Sequence, residues 1–443
     1  AMPVAQWHYP HENKDLFEAF FPADYITEAI DQTRGWFYSL MALNSFLFGK
    51  SPFKTCLVLG HVLDKEGSKM SKSKGNVVDP ETAFAKYGAD AFRWYFYREN
   101  NPWLPTRFFE EAMFDVQKSM FLTLWNVYSF FVIYAGIDGF NPNEHKVAVQ
   151  QRDPNDRWVL SRLHRLIGDI TGGLDSFAIM APARAVELFL DDLSNWYVRR
   201  CRPRFWKAEK DDDKWAAYAT LYECLVSLGR ALAPFTPFLS ETLHRNLVQS
   251  ADPAAPDSVH LCDFPRADQA LIDDDLEEAV ARVRDIANQG RSLRSANRRR
   301  VRQPLALMKL KLPEGKARDT IQPFLPMLQD ELNVRDIAFT DSFDDLMSVT
   351  LKPNFKTLGK KLGRHNKTLQ EKIKADQQSM LNALAADGTF VLDTDDGPIT
   401  LAEDDFLKEF NPDPDWAVGE LAALDLRLND ELIAAGLARE IVH

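Results

Sequence analysis

The pattern of apolar and polar positions changes character along the chain. Residues 55–59 read Thr-Cys-Leu-Val-Leu, apolar throughout, as expected for a strand covered on both faces of a parallel sheet. A shorter extended run, Tyr25-Ile26-Thr27, precedes it. Between them Trp36, Phe37, Leu40, Met41, Leu43, Phe46 and Leu47 predict a helix over 35–48 that stops at Gly49. The three make a strand–helix–strand unit. A right-handed crossover sets the carboxyl ends of both strands on one face, where open α/β sheets take their ligands. That face gathers Glu28, Asp31 and Gln32 from the first strand and Gly60, His61 and Asp64 from the second.

After Pro80 the period turns helical. Residues 110–134 carry apolar side chains at 113, 116, 120, 121, 124, 127, 128 and 131, a wide helical face closed by Gly136 and Gly139. Residues 153–250 predict an antiparallel bundle. Its first helix starts at Asp153-Pro154 and breaks at Gly172-Gly173, and further helices span 183–197, 215–233 and 237–248. A basic hinge, 198–207, links the second and third. A Pro/Ala/Asp linker over 251–270 leads into a smaller α+β region. It has a helix near 271–297, strands at 305–312 and 336–340 around a helix near 319–333, and a hairpin turn at Asp396-Gly397.

Composition narrows the classes. The chain has 443 residues, which exceeds one core, and 45% of them are apolar, enough to fill several. The four cysteines stand far apart without Cys-x-x-Cys spacing, as reduced cytosolic thiols do. No uninterrupted apolar run reaches about eighteen residues, so no membrane span is expected. The start of the chain lacks the basic-then-apolar pattern of a secretory leader. A net charge of −12 excludes a wholly basic nucleic-acid coat but not local basic surfaces. Three such surfaces stand out. One holds Arg199, Arg200, Arg202, Arg204 and Lys207 with Phe205 and Trp206 among them; the second covers 291–302 with Arg298, Arg299 and Arg300; the third covers 352–374 with Lys356, Lys360 and Lys361. Phosphate-rich RNA is the natural partner, with Phe205 and Trp206 available to stack on unpaired bases. Pairing of the same cations with the chain's many acids is the plainer alternative.

The stretch Ser68–Asn76, Ser-Lys-Met-Ser-Lys-Ser-Lys-Gly-Asn, carries Lys69, Lys72 and Lys74 between Gly67 and Gly75. It reads as a mobile polar loop suited to closing over a polyanion. Lys72 reaches phosphate as a point charge, and Ser71 and Ser73 donate hydrogen bonds. Neither a Gly-x-Gly-x-x-Gly nor a P-loop string occurs. Taken alone, Asp31 and Gln32 are caps of the following helix, Trp36 is core, and His61 is a satisfied strand-end histidine.

Lys69-Met70-Ser71-Lys72-Ser73 is similar to the second signature of the class I aminoacyl-tRNA synthetases. Asp31-Gln32-Thr33-Arg34-Gly35-Trp36-Phe37, Leu59-Gly60-His61-Val62, Ser194-Asn195-Trp196-Tyr197-Val198-Arg199-Arg200, Arg204-Phe205-Trp206, Pro353-Asn354-Phe355-Lys356 and Gly436-Leu437-Ala438-Arg439-Glu440-Ile441 resemble the isoleucine branch in order and spacing. The first of these strings points to isoleucine over valine or leucine. Without paired Cys-x-x-Cys ligands the chain resembles the eukaryote-like branch, and no zinc is expected. The other class I signature, His-x-Gly-His, is missing from the sequence. The resemblance therefore implies the C-terminal portion of such an enzyme, lacking that half of the site and the editing domain.

The fold implied is multidomain. Residues 1–82 form the C-terminal half of a Rossmann-like α/β catalytic domain, 83–150 a helical connection contacting the acceptor stem, 151–262 an anticodon-binding α-helical bundle, and 263–443 a small α+β domain with extra tRNA contacts. The activity implied is ATP-dependent formation of isoleucyl-adenylate and transfer to tRNA(Ile), with Mg2+ accompanying ATP. Lys69, Ser71 and Lys72 take the catalytic role. Glu28, Asp31, Gln32, Gly60, His61 and Met70 join Lys72 around ATP and adenylate, and Trp36 lines the isoleucine pocket. The chain alone is expected to bind tRNA as a cytoplasmic monomer without making the adenylate. The alternative is a non-catalytic tRNA-binding module with a vestigial ATP loop.

Overall fold

A computed structural model describes residues 2–442; the side chains of Lys72 and Lys360 lie outside the described residues. The chain divides into two compact units, Ala1–Asp274 and Asp275–His443.

In the first unit, strands Ala23–Ala29 and Phe53–Leu59 pair in parallel, with Ala23 opposite Phe53 and Ala29 opposite Leu59. Helix Trp36–Phe48 crosses between them and stops at Gly49, whose φ of 62° is left-handed and suits glycine. The second strand is half-buried rather than covered on both faces. Two strands and one helix cover a single side, so the helix leaves Phe46 89% and Tyr38 67% exposed. The apolar run predicted the strand correctly but not its exposure.

A continuous helix spans Glu110–Asp138 and is long and apolar enough to cross a membrane by length and composition, which the absence of an unbroken apolar run did not anticipate. Its Met113, Val116, Met120, Leu124, Val127 and Phe131 are buried, with Phe131 against Tyr218 and Phe130 against Phe205 of the bundle. Gly136 lies inside the helix and only Gly139, at φ 71°, ends it.

The bundle follows. Helix Pro154–Asp175, capped by the Asp153 carboxylate on the Asn155 amide at 2.8 Å, runs straight through Gly172-Gly173. A Cβ on Gly173 would meet Pro182 Cγ at 2.1 Å, so glycine there permits close packing of the next helix and is no break. The expected hinge at 198–207 is also absent: Met180–Asp191, a π-helical turn Asp192–Val198 and Arg199–Trp206 form one unbroken rod. Helices Asp212–Leu232 and Pro237–His244 complete the layer, the latter extended by a π turn through Gln249.

In the second unit, helix Asp274–Ala296 precedes a four-stranded sheet. Its strand order is Trp416–Val418, Ala422–Asp425, Leu305–Lys311, Val334–Thr340, parallel only between the last two. A second layer pairs Met347–Pro353 with Phe406–Pro412 antiparallel. Helices Phe355–Leu362 and Asn366–Asp387 pack on a core of Leu351, Leu358, Leu369, Met380 and Leu401. The hairpin turns at Asp396-Gly397, with Gly397 at φ 112°.

Candidate functional site

The lysine loop leaves the short strand Val62–Leu63, and its start folds back so that Lys69 bridges Leu63. Hydrogen bonds within the segment frame it. Asp64 Oδ1 accepts the Ser68 amide at 2.6 Å, and Asp64 Oδ2 accepts the Asn76 side-chain amide at 2.7 Å. Asn76 Oδ1 in turn accepts the Ser71 amide at 2.9 Å. The hydrogen bond from Asn76, then that from Ser68, holds the Asp64 carboxyl below its ordinary range. Residues 72–74 form a single short turn inside this frame, and the Ser71 and Ser73 hydroxyls stand 3.2 Å apart. The sequence places Asp64 near the site but does not by itself reveal its partnership with Asn76. The signal was present: an acid and an amide bracketing a Gly/Ser/Lys loop.

Lys69 Nζ lies 3.8 Å from Asp31 Oδ1, so the loop and the end of the first strand meet. Gln32 is committed as a helix cap, its Oε1 accepting the Trp36 amide at 2.9 Å. Glu28 is exposed beside this cap and accepts the amide of Ala29 at 3.0 Å. Trp36 is 46% exposed, not core, and faces an aromatic-lined cavity of about 460 Å³ shared with Trp7, Phe20 and Leu40. Gly60 has a packing reason of its own: a Cβ there would meet the Leu104 carbonyl oxygen at 2.3 Å. The His61 carbonyl accepts the Thr106 amide at 3.0 Å, which ties strand end to loop. Met70 is half-buried.

The first basic surface splits in two. Arg204 turns inward and forms a bidentate pair with Asp156, 2.8 Å on each oxygen; the Tyr197 hydroxyl donates to the same carboxylate at 2.6 Å. Phe205 is 1% exposed, its ring packed on Tyr218 and Phe130. Neither can meet RNA in this state, which corrects the expectation for both. The helix continues through the segment, so its sides alternate between core and water. Lys207 pairs with Asp211 and Asp213 at 2.7 and 2.9 Å. Arg200 lies over the Trp196 ring at 5.0 Å. Arg199, Arg202 and Trp206 face outward, Trp206 at 57% exposure.

In the second unit Arg298 and Arg300 are exposed, Arg300 pairing with Glu440 at 2.7 Å, while Arg299 donates to the Leu426 carbonyl at 3.2 Å. Lys356 is exposed on its short helix; Lys361 pairs with the buried Asp405 at 2.7 Å.

The family described as tRNA synthetases class I (I, L, M and V) matches residues 1–102, and the anticodon-binding domain of tRNA ligase matches residues 156–309. The isoleucine–tRNA ligase of Clostridium acetobutylicum is 43% identical over 450 residues, covering 100% of this chain and 43% of that protein. That of Dehalococcoides mccartyi strain 195 is 50% identical over 341 residues, covering 76% of this chain and 34% of that protein. Among solved structures, Mycobacterium tuberculosis methionyl-tRNA synthetase with methionyl-adenylate covers 59% of this chain and 54% of its own at 20% identity and a TM-score of 0.47. The chain belongs to the class I tRNA synthetases. Within that class its whole-length similarity is to isoleucine–tRNA ligases, and it spans 43% of the length of those first relatives.

Proposed function

We propose that this chain supplies one wall of the ATP site and the tRNA-binding part of an isoleucine–tRNA ligase, its C-terminal portion. The whole enzyme joins isoleucine to ATP, releases pyrophosphate, and passes the aminoacyl group to tRNA(Ile). The observation that carries the reading is the clamped lysine loop beside the carboxyl ends of two parallel strands, with Lys69 3.8 Å from Asp31. In the first step negative charge builds on the departing pyrophosphate. Cations that engage it more strongly in the transition state than in the ground state speed that step. Lys69 and Lys72 take this role, and Ser71 donates a hydrogen bond. Met70, Gly60 and His61 border the nucleotide, Glu28 and Gln32 the adenylate, and Trp36 the isoleucine side chain. Mg2+ arrives with ATP.

On this reading residues 1–82 are the catalytic half, 83–150 the stem contact, 151–262 the anticodon bundle and 263–443 the source of extra tRNA contacts. The RNA-facing cations are Arg199 and Arg202 with Trp206, then Arg298–Arg300 and the lysines of 356–361. The same reading makes the chain a cytoplasmic monomer. Its sequence lacks His-x-Gly-His, so alone it binds tRNA and does not form the adenylate. Isoleucine-dependent exchange of pyrophosphate into ATP tests this: no exchange is expected from the chain alone, and exchange above background would overturn it. Absence of ATP protection of the lysine loop from proteolysis would favour the vestigial-loop alternative.

A further inference from the structure

The segment after helix Asp274–Ala296 is built around an arginine that pairs with no acid among the described residues. Arg294 is 1% exposed and donates to three carbonyls: Arg300 at 3.0 Å, Gln303 at 2.9 Å and Asn333 at 2.9 Å. Burial alone pushes its guanidinium down to about 10. Asn333, itself at φ 47°, adds bonds to the carbonyls of Val301 and Arg302 at 2.8 and 3.0 Å. Gln303 donates to the Leu432 carbonyl at 2.7 Å and so ties the turn to helix Asp430–Val442. A Cβ on Gly436 would meet Gln303 Oε1 at 2.4 Å, so glycine permits this approach. Arg298 sits at φ 54°, a region that a long side chain rarely adopts. Sparsely populated backbone of this kind persists where surroundings fix it, and it clusters at ligand clamps.

The fixed turn and the helix enclose a cavity of about 250 Å³. Arg298, Arg299 and Arg300 line it together with Leu428, Ile433 and Leu437, and Glu440 is the one acid among these lining residues. Three guanidiniums against one carboxylate leave the pocket cationic, in a chain whose net charge is −12. Apolar side chains and guanidinium groups lining one cavity match one ligand chemistry closely: a flat base on the apolar side chains with its phosphate on the cations. Duplex RNA offers phosphate but keeps its bases stacked, so it can use only half of the pocket.

We propose that this cavity holds one unpaired nucleotide of bound RNA. The apolar side chains take the base, Arg298 and Arg299 take the phosphate, and Arg300 is held in reserve by Glu440. The proposal rests on the tRNA-binding reading and deepens it.

The test is fluorescence anisotropy with the full chain, using a short single-stranded oligoribonucleotide of mixed sequence and a duplex of the same length. Three variants separate charge from base contact. Arg298→Asn keeps a residue tolerant of positive φ and removes the cation. Leu437→Gln removes apolar lining at a side chain already 58% exposed. Glu440→Gln releases Arg300. Leu437→Gln should weaken single-strand binding about fivefold or more, the lower end of a lost base contact, and leave the duplex unchanged. Arg298→Asn should weaken both, the single strand more, and Glu440→Gln should strengthen the single strand. Equal losses for both RNAs in every variant, or no change in any of them, would overturn the pocket while the tRNA reading stands. No binding of either RNA by the unaltered chain would remove the tRNA reading and the pocket with it.

Discussion

Lys69 reaches toward Asp31 across 3.8 Å and so links the lysine loop to the end of the first strand. Both side chains are largely exposed, and such a pair contributes about 0–1 kcal/mol. Asp31→Asn should therefore leave the melting temperature almost unchanged. It also removes a negative charge beside the expected phosphate path, so pyrophosphate should bind about two- to fivefold more tightly at low salt and lose that gain at high salt. Calorimetric titration at two ionic strengths checks both.

The Asp64–Asn76 clamp gives a sharper expectation for the loop. Asn76→Ala removes bonds to Asp64 and to the Ser71 amide. Tryptic cleavage after Lys69, Lys72 and Lys74 should accelerate about tenfold, because cleavage follows the population of the open form, while the global melt stays put. The Asp64 carboxyl is held below its ordinary range, so the clamp is complete above about pH 4 and is lost as pH falls through the folded value. An Asn76→Ala loop cut no faster than the parent would show that the clamp does not order it.

The two halves of the first basic surface should respond oppositely. Phe205→Ala empties a fully buried aromatic site and should cost about 3–5 kcal/mol of stability. Breaking the Arg204–Asp156 pair with Arg204→Met strands a carboxylate that is 0% exposed and should cost a similar amount, about 3–5 kcal/mol. Trp206→Ala and Arg202→Ala, on the outward side, should change stability by less than about 0.5 kcal/mol and weaken tRNA binding. Denaturant melts and filter binding on the four variants distinguish the classes.

These residues also mark how far the sequence alone was readable. The parallel strand pair, the capped helix starts and the hairpin at Gly397 followed from local chemistry, because Gly, Asp and apolar runs act on their neighbours. The misreadings were tertiary. Gly172-Gly173 has the composition of a stop, but Gly173 serves the close approach of Pro182. Phe205 looked like a stacking platform because a basic string hides which side of a helix is wet. The helices at 355–362 and 366–387 were masked by a run of lysines read only as charge. In the candidate site, Lys69 and Asp31 were named from sequence, but their meeting could come only from the fold.

Acid should weaken the first unit through His164. Its Nδ1 accepts the Asp268 amide at 3.1 Å and Nε2 has no partner among the described residues. Burial holds the imidazole below its ordinary range, outweighing the pull of Glu223 and Asp268 toward the charged form. A depressed folded value means the unfolded chain binds the proton first. The stability tied to neutral His164 is thus intact above about pH 6.5 and falls as pH drops through the folded value. His164→Asn, which keeps an acceptor for the Asp268 amide, should flatten that part of the pH–stability profile between about pH 7 and 5.

If this chain is the tRNA-binding portion of an isoleucine-type enzyme, as proposed, it distinguishes tRNA(Ile) from other tRNAs. The most direct test is competition binding of tRNA(Ile) against a tRNA of unrelated specificity, followed as salt is raised. tRNA(Ile) should bind more tightly, both affinities should fall with salt, and the preference should survive when the electrostatic part is screened. Equal affinity for the two at every salt concentration would contradict it.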